Sequence, residues 1–190
     1  METLEALRTR RSIAKVKPDA VPRASIEAIL ETAVWAPNHK KVEPWRFWVF
    51  AGEGRNALAQ AFRENYRRDH PDATPEELSG AGQKSADRVL LAPVIIVVTS
   101  DAGASEIETL ENYGAVAAAI EHILLAAHDK GLASYWRTGD GVYTTPNAIH
   151  ELIGAPPDNR IAGVVLIGYP DAEKIGARKA TAAEKTVWFE

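Results

Sequence analysis

The 190-residue chain contains no cysteine. That excludes disulfide scaffolds, cysteine-ligated zinc, iron–sulfur clusters and thiol nucleophiles in one step. Charge is close to balanced, with 22 Lys+Arg against 26 Asp+Glu for a net charge of −4, and this acidic balance argues against a nucleic-acid partner. No apolar run is long. The longest, Tyr113 to Ala127, is interrupted by Glu121 and His122 and falls short of the roughly 18 residues a membrane span needs. No repeat, linker or low-complexity segment is visible. The opening METLEALRTRR has no apolar core of a secretion signal and does not read as a transit peptide, so a cytoplasmic location is expected. What remains is 46% hydrophobic and 25% charged, the balance of an ordinary globular domain, and one domain over residues 1–190 is the expectation. Five Trp and five Tyr beside a single Met supply walls for a flat ligand.

Metal and hydrolytic chemistry are also missing. The histidines are His39, His70, His122, His128 and His150, and no pair has the i, i+4 spacing around a catalytic Glu. No G-x-S-x-G elbow occurs, so a covalent hydrolase is not expected. No metal site and no catalytic acid, base or nucleophile is assigned.

Hydrophobic spacing predicts helices over residues 2–8, 23–35, 53–68 and 107–130, and another from Thr145–Pro146 to Gly154. Thr74-Pro75-Glu76-Glu77 is a capping box with proline at the first helical position, opening a helix toward Leu90. Strands are expected over 45–51, 93–99, 132–138 and 161–167; the run PVIIVVT is uniformly apolar and so buried on both faces. The reading is α+β. From Tyr169 to Glu190 little regular pattern remains until Thr186-Val187-Trp188-Phe189. Leaving those three apolar side chains in water forfeits about 25 cal/mol per Å² of apolar surface, so they are expected to pack against a partner subunit, in a dimer.

Gly52-Glu53-Gly54-Arg55-Asn56-Ala57 follows a strand and opens a helix, the setting of a dinucleotide fingerprint. The acidic strand end expected about 20 positions later is absent, and a tight turn explains the glycines equally well. A Rossmann-type nucleotide module on Gly52 to Ala57 stays open as an alternative. Three clusters are more informative together. Arg10-Arg11-Ser12 offers two guanidinium forks beside a hydroxyl, suited to a phosphate or a carbonyl-rich ring. Ala36 to Trp45 is a long polar loop carrying His39, Lys40 and Lys41. Tyr135-Trp136-Arg137-Thr138-Gly139 places an aromatic, a cation and a hydroxyl at a strand end. Converging on one cleft, such groups describe a pocket for an anionic, planar cofactor.

In chain order, Arg10-Arg11-Ser12-Ile13, Ala36-Pro37-Asn38-His39-Lys40 leading to Pro44-Trp45-Arg46-Phe47, Trp136-Arg137-Thr138-Gly139, Leu152-Ile153-Gly154 and Gly168-Tyr169-Pro170 resemble the FMN-dependent nitroreductase family. The likeness is greatest to its small NAD(P)H nitroreductase subgroup and covers essentially the whole chain. It implies a nitroreductase-like fold, a mixed, mainly antiparallel sheet flanked by helices in three α-β-α layers, in an intertwined homodimer with FMN at the subunit interface. By motif, Arg10, Arg11 and Ser12 would hold the ribityl phosphate and the pyrimidine edge. Trp136, Arg137 and Thr138 would come from the same subunit, Arg178 would lie near the phosphate, and Trp35 and His39 would come from the other subunit. The activity implied is ping-pong hydride transfer from NADPH or NADH through flavin N5 to a small electron-poor acceptor, a nitroaromatic or a quinone, with a guanidinium near N1/O2 favouring the anionic reduced ring. A non-redox flavin-binding or flavin-degrading protein of the same fold is the alternative. Two departures stand out: Ala14 occupies the position where relatives often carry arginine in R-R-S-x-R, and Trp35 stands where close relatives carry arginine.

Overall fold

The computed structural model describes residues 2–138, 146–176 and 179–190. In chain order its elements are α1 (Thr3–Thr9), α2 (Arg23–Ala33), β1 (Trp45–Ala51), α3 (Gly54–Asp69), α4 (Pro75–Glu77), α5 (Gln83–Leu90), β2 (Val94–Ser100), α6 (Glu106–Asp129), β3 (Ala133–Arg137), α7 (Ala148–Ile153) and β4 (Arg160–Gly168). The strands form one sheet in the order β1-β2-β4-β3, with every neighbouring pair antiparallel. The sole parallel element among the described residues is an isolated bridge between Ser12 and Ser134, on the outer side of β3.

Strand alternation divides the buried side chains between two layers. On one face Val94, Ile96 and Val98 of β2 pack with Val165 and Ile167 of β4 beneath α2 and α6. On the other, Ile95 and Val97 pack with Val164 and Leu166 beneath α3, α5 and α7. The architecture is thus α+β in three layers. All seven residues of β2 are buried, as its uninterrupted apolar run requires. The 24-residue α6 buries Val116, Ala119, Ile120, Ile123 and Ala127 against the sheet. Ser105 starts it by accepting from the Glu108 N–H at 3.2 Å, and Gly131, with φ +71°, turns the chain away after it.

Three expectations needed correction. Gly52 to Ala57 is not a dinucleotide fingerprint, because β1 runs antiparallel to β2 and forms no parallel βαβ unit. Gly52 closes a tight turn at φ +53°, and Arg55 donates to the carbonyls of Gly52 (3.0 Å) and Ala92 (2.8 Å), capping the end of the α5 segment. The helix expected from Thr145 starts at Ala148, since Asn147 is the better cap: its Oδ1 accepts from Ile149 N–H (2.9 Å) and His150 N–H (3.3 Å). The helix opened by the Thr74 capping box is interrupted by one π-helical turn at Leu78–Gly82, where Gly80 and Gly82 relax the backbone. Among the described residues no helix is long and apolar enough to cross a membrane.

Candidate functional site

β3 is the edge strand on which the expected site residues meet the fold. Its alternation sends Trp136 and Arg137 to opposite faces of the sheet. The Trp136 indole lies on the α2–α6 face and donates its N–H to the Ala162 carbonyl at 3.2 Å. Gly163 permits this, because a Cβ there would overlap the indole. The register of β2 against β4 shifts at the same point, between Val98 and Thr99, leaving Ala162 as the extra residue. Arg137 turns to the other face, is only 8% exposed, and stacks its guanidinium 5.1 Å from the Phe62 ring centroid. Burial, then the nearby Arg88 charge, push its pKa below the usual arginine value.

The segment after α1 covers the outer edge of β3. Ile13 N–H donates to the Ser134 carbonyl at 3.0 Å, and Lys174 Nζ donates to the Ser12 carbonyl at 3.0 Å. Two clefts open beside this segment. The first, of about 440 Å³, is lined by Arg10, Arg11, His128, Ser134, Glu173 and Lys174 among others. Arg10 Nε stands 3.4 Å from Glu121 Oε1, while its buried Nη1 has no hydrogen-bond partner among the described residues. A buried guanidinium nitrogen without an acceptor carries a desolvation cost that an incoming anion relieves. Arg11 folds back on its own chain, donating from Nη1 to the carbonyls of Arg8 and Arg10, both at 2.7 Å. Gly176 abuts this guanidinium so closely that a Cβ there would displace it.

The second cleft, of about 360 Å³, is lined by Ala14, Arg88, Leu91, Tyr135, Arg137 and Thr138, with Leu166 at its floor. Among the described residues its lining has two arginines and no carboxylate. Arg88 was not foreseen from the sequence. It reads there as one more helix cation, and only the fold brings the end of α5 beside Ala14, where the R-R-S-x-R pattern has lost its own. Lys174 and His128 were likewise missed; residue 174 lies in a segment without periodicity.

Trp35 and His39 lie apart from both clefts. Trp35, 78% exposed, borders a hollow with His122 between α2 and α6, and His39 borders another with Lys40, Glu108 and Glu111. The loop around His39 holds Lys40, Lys41 and Glu43 at φ +51°, +58° and +50°, conformations unfavourable for side-chain-bearing residues, and Asn38 Oδ1 steadies it by accepting from Glu43 N–H at 3.0 Å. Arg178 and the residues from Gly139 to Thr145 fall outside the described residues. Among the described residues no group of three or more His, Cys, Asp or Glu is placed to hold a metal.

Residues 7–169 match the Nitroreductase family. The chain is 32% identical over 168 residues to the Bacillus subtilis protein YfhC, named as an NAD(P)H nitroreductase, covering 88% of this chain and 84% of that one. A nitroreductase-like family protein from Bacillus cereus superposes with a TM-score of 0.88 at 32% identity, over 100% of this chain and 97% of that one. A Desulfovibrio desulfuricans protein described as a nitroreductase, solved in complex with FMN, superposes with a TM-score of 0.76 at 25% identity, over 100% of this chain and 99% of that one.

Proposed function

The chain belongs to the nitroreductase family, and from that premise we propose that it is an FMN-dependent oxidoreductase that passes a hydride from NADPH or NADH to an electron-poor acceptor such as a nitroaromatic or a quinone. The observation that carries the reading is the buried Nη1 of Arg10, without a hydrogen-bond partner among the described residues, in a cleft shared with Arg11 and Lys174. A phosphate monoester brings close to two negative charges and three acceptor oxygens, which suits that cation set. Bound FMN supplies the ring that accepts and releases the hydride.

The protein's own residues bind, orient and polarise. Arg10, Arg11 and Lys174 meet the phosphate, and Ser12 meets the polar edge of the cofactor where the chain crosses between the clefts. Arg137 and Thr138 serve the ring from the second cleft, and Arg88 provides there the cation missing at Ala14. Trp136 contributes by holding its strand end in place, since its indole N–H is engaged by Ala162. Arg178 is assigned as a further phosphate contact. Trp35 and His39 border hollows that share no lining residue with either cleft, and we assign them to the site of a second copy, in a cytoplasmic homodimer.

The test is the visible absorption spectrum of the purified protein, before and after anaerobic addition of NADPH. Two flavin bands that bleach are expected. Flavin bands that persist would favour the non-redox flavin binder. A colourless protein that takes up no added FMN would overturn the cofactor assignment.

A further inference from the structure

His128 lies in the last turn of α6 and lines the first cleft beside Arg10, Arg11 and Lys174, yet none of the contacts assigned above uses it. Its Nε2 stands 2.9 Å from the Thr9 hydroxyl, whose own proton is given to the Glu5 carbonyl at 2.7 Å. Toward the imidazole that hydroxyl therefore acts as acceptor. Nε2 carries the hydrogen, and a further proton on the ring goes to Nδ1. Both protonation states donate from Nε2 to Thr9, so the ring can gain a charge without moving.

The permanent charges of the cleft fall short of its proposed occupant. Among the described residues three cations line it, Arg10, Arg11 and Lys174, against one lining carboxylate, Glu173. A second carboxylate, Glu121, stands 3.4 Å from Arg10 Nε. Three against two leaves a single positive charge in excess, whereas a phosphate monoester brings close to two negative ones. The other charges near His128 offset each other: Glu5 and Arg8 on α1, and Asp129 and Lys130 at the end of α6. From Gly131 to Ser134 the wall of the cleft is uncharged. A protonated His128 closes the deficit, and the C-terminal end of α6 favours that charge in its last turn.

We infer that His128 is a proton-linked binding residue for the cofactor phosphate: the ring gains a proton as the phosphate enters, and FMN is held more tightly as pH falls. This deepens the FMN reading above and rests on it. A dianion beside the ring favours imidazolium over imidazole. The added affinity is complete where the ring is already charged, and it is lost as pH rises through the range, between about pH 5 and 8, in which imidazole gives up its proton.

The test compares the wild type with His128→Gln, which keeps an N–H for Thr9 and cannot take a charge. FMN Kd is read by flavin fluorescence at about pH 6 and about pH 8.5, on either side of the imidazole range. The variant is expected to bind FMN about tenfold more weakly at the lower pH and within about twofold of the wild type at the higher. The second ionisation of the phosphate, near about pH 6, belongs to the ligand and cancels between the two proteins. Riboflavin, which has no phosphate, should bind both proteins alike at both pH values. Calorimetry in buffers of different ionisation enthalpy should show the wild type taking up more protons than the variant on binding FMN.

A gap between the proteins that ignores pH, or equal proton uptake, overturns the inference, since His128 then acts through Thr9 alone. A pH-dependent gap of the same size with riboflavin also overturns it, because the charge would not be answering the phosphate. Wild-type protein that binds no FMN sinks the cofactor assignment and this inference together, whereas FMN binding without the pH-dependent gap sinks this inference alone.

Discussion

β2 and β3 belong to one sheet and bury different things. β2 hides a run of Val and Ile between two helical layers, and its burial needs nothing beyond hydrophobicity and close packing. β3 hides Ser134 and Arg137, sets Trp136 against the backbone of β4, and takes the chain around Arg10 along its outer edge. Burying charge and hydroxyl at a rim costs free energy that apolar residues would not. The sheet centre makes the molecule stable, and the β3 rim gives up part of that stability to hold the cations that the proposed function assigns to an anion.

The comparison is sharpest at its strongest contrast. Ile96→Ala in the sheet centre should cost about 3 kcal/mol, read as a fall in the thermal midpoint, because Ile96 is fully buried and its removal leaves a cavity. The FMN Kd of the protein that remains folded should not change; a large rise would mean that centre and rim are not separable. Arg10→Ala should do the reverse. Its FMN Kd should rise about 100-fold, since the variant loses a charge-assisted contact inside a partly buried cleft. The melting of the FMN-free protein should scarcely move, because the pair with Glu121 is long and partly exposed. Collapse of the FMN-free variant would break the contrast.

Gly163→Ala probes the seam between the two regions. The added methyl overlaps the Trp136 indole and should cost about 1–3 kcal/mol, with a red shift in tryptophan emission as the ring leaves Ala162. Unchanged stability and emission would show that the indole is not pinned there. The smallest effect lies away from both regions. Hydrogen bonds from Arg67 and then Arg68 hold Glu64 down at about 2, from an ordinary value of 4.5, and Arg68 continues to Glu151 at 2.7 and 2.8 Å, tying α3 to α7. A carboxylate depressed in the folded state adds stability that is complete above its unfolded pKa and is lost as pH falls through the folded one. The melting temperature should therefore decline between pH 4.5 and about 2, and Glu64→Gln should flatten that decline. A variant with an undiminished slope would assign the acid loss to other carboxylates.

Much of the fold was legible because hydrophobic period is a local property. The unbroken run of β2, the helical spacing of α2 and the long apolar α6 each fall within one or two residues of where the sequence places them. Boundaries moved where a side chain beyond the pattern decided them, as Asn147 did at the start of α7. The Gly52–Gly54 signal misled because a strand–turn–helix looks the same locally whether the next strand returns parallel or antiparallel. Of the site, Arg10, Arg11 and the Trp136–Thr138 strand end were visible as motifs, and the fold sets them around the outer edge of β3. Arg88 was invisible, since its meaning comes from Ala14, 74 positions away in the chain, across the same cleft.

By itself the sequence determined the chemistry available: no thiols, paired arginines, five tryptophans and enough apolar periodicity for a sheet between helices. It also determined that Val187-Trp188-Phe189 calls for cover, because such a run is costly in water whatever surrounds it. Tertiary structure alone decided that Trp136 and Arg137 part to opposite faces, that Arg10 keeps one buried nitrogen without an acceptor among the described residues, and that Arg88 stands in the same cleft as Ala14. The reason is physical: side-chain type and period act over a few residues, whereas the partner of a buried charge is set by strand register and helix placement, which the chain settles only when it closes on itself.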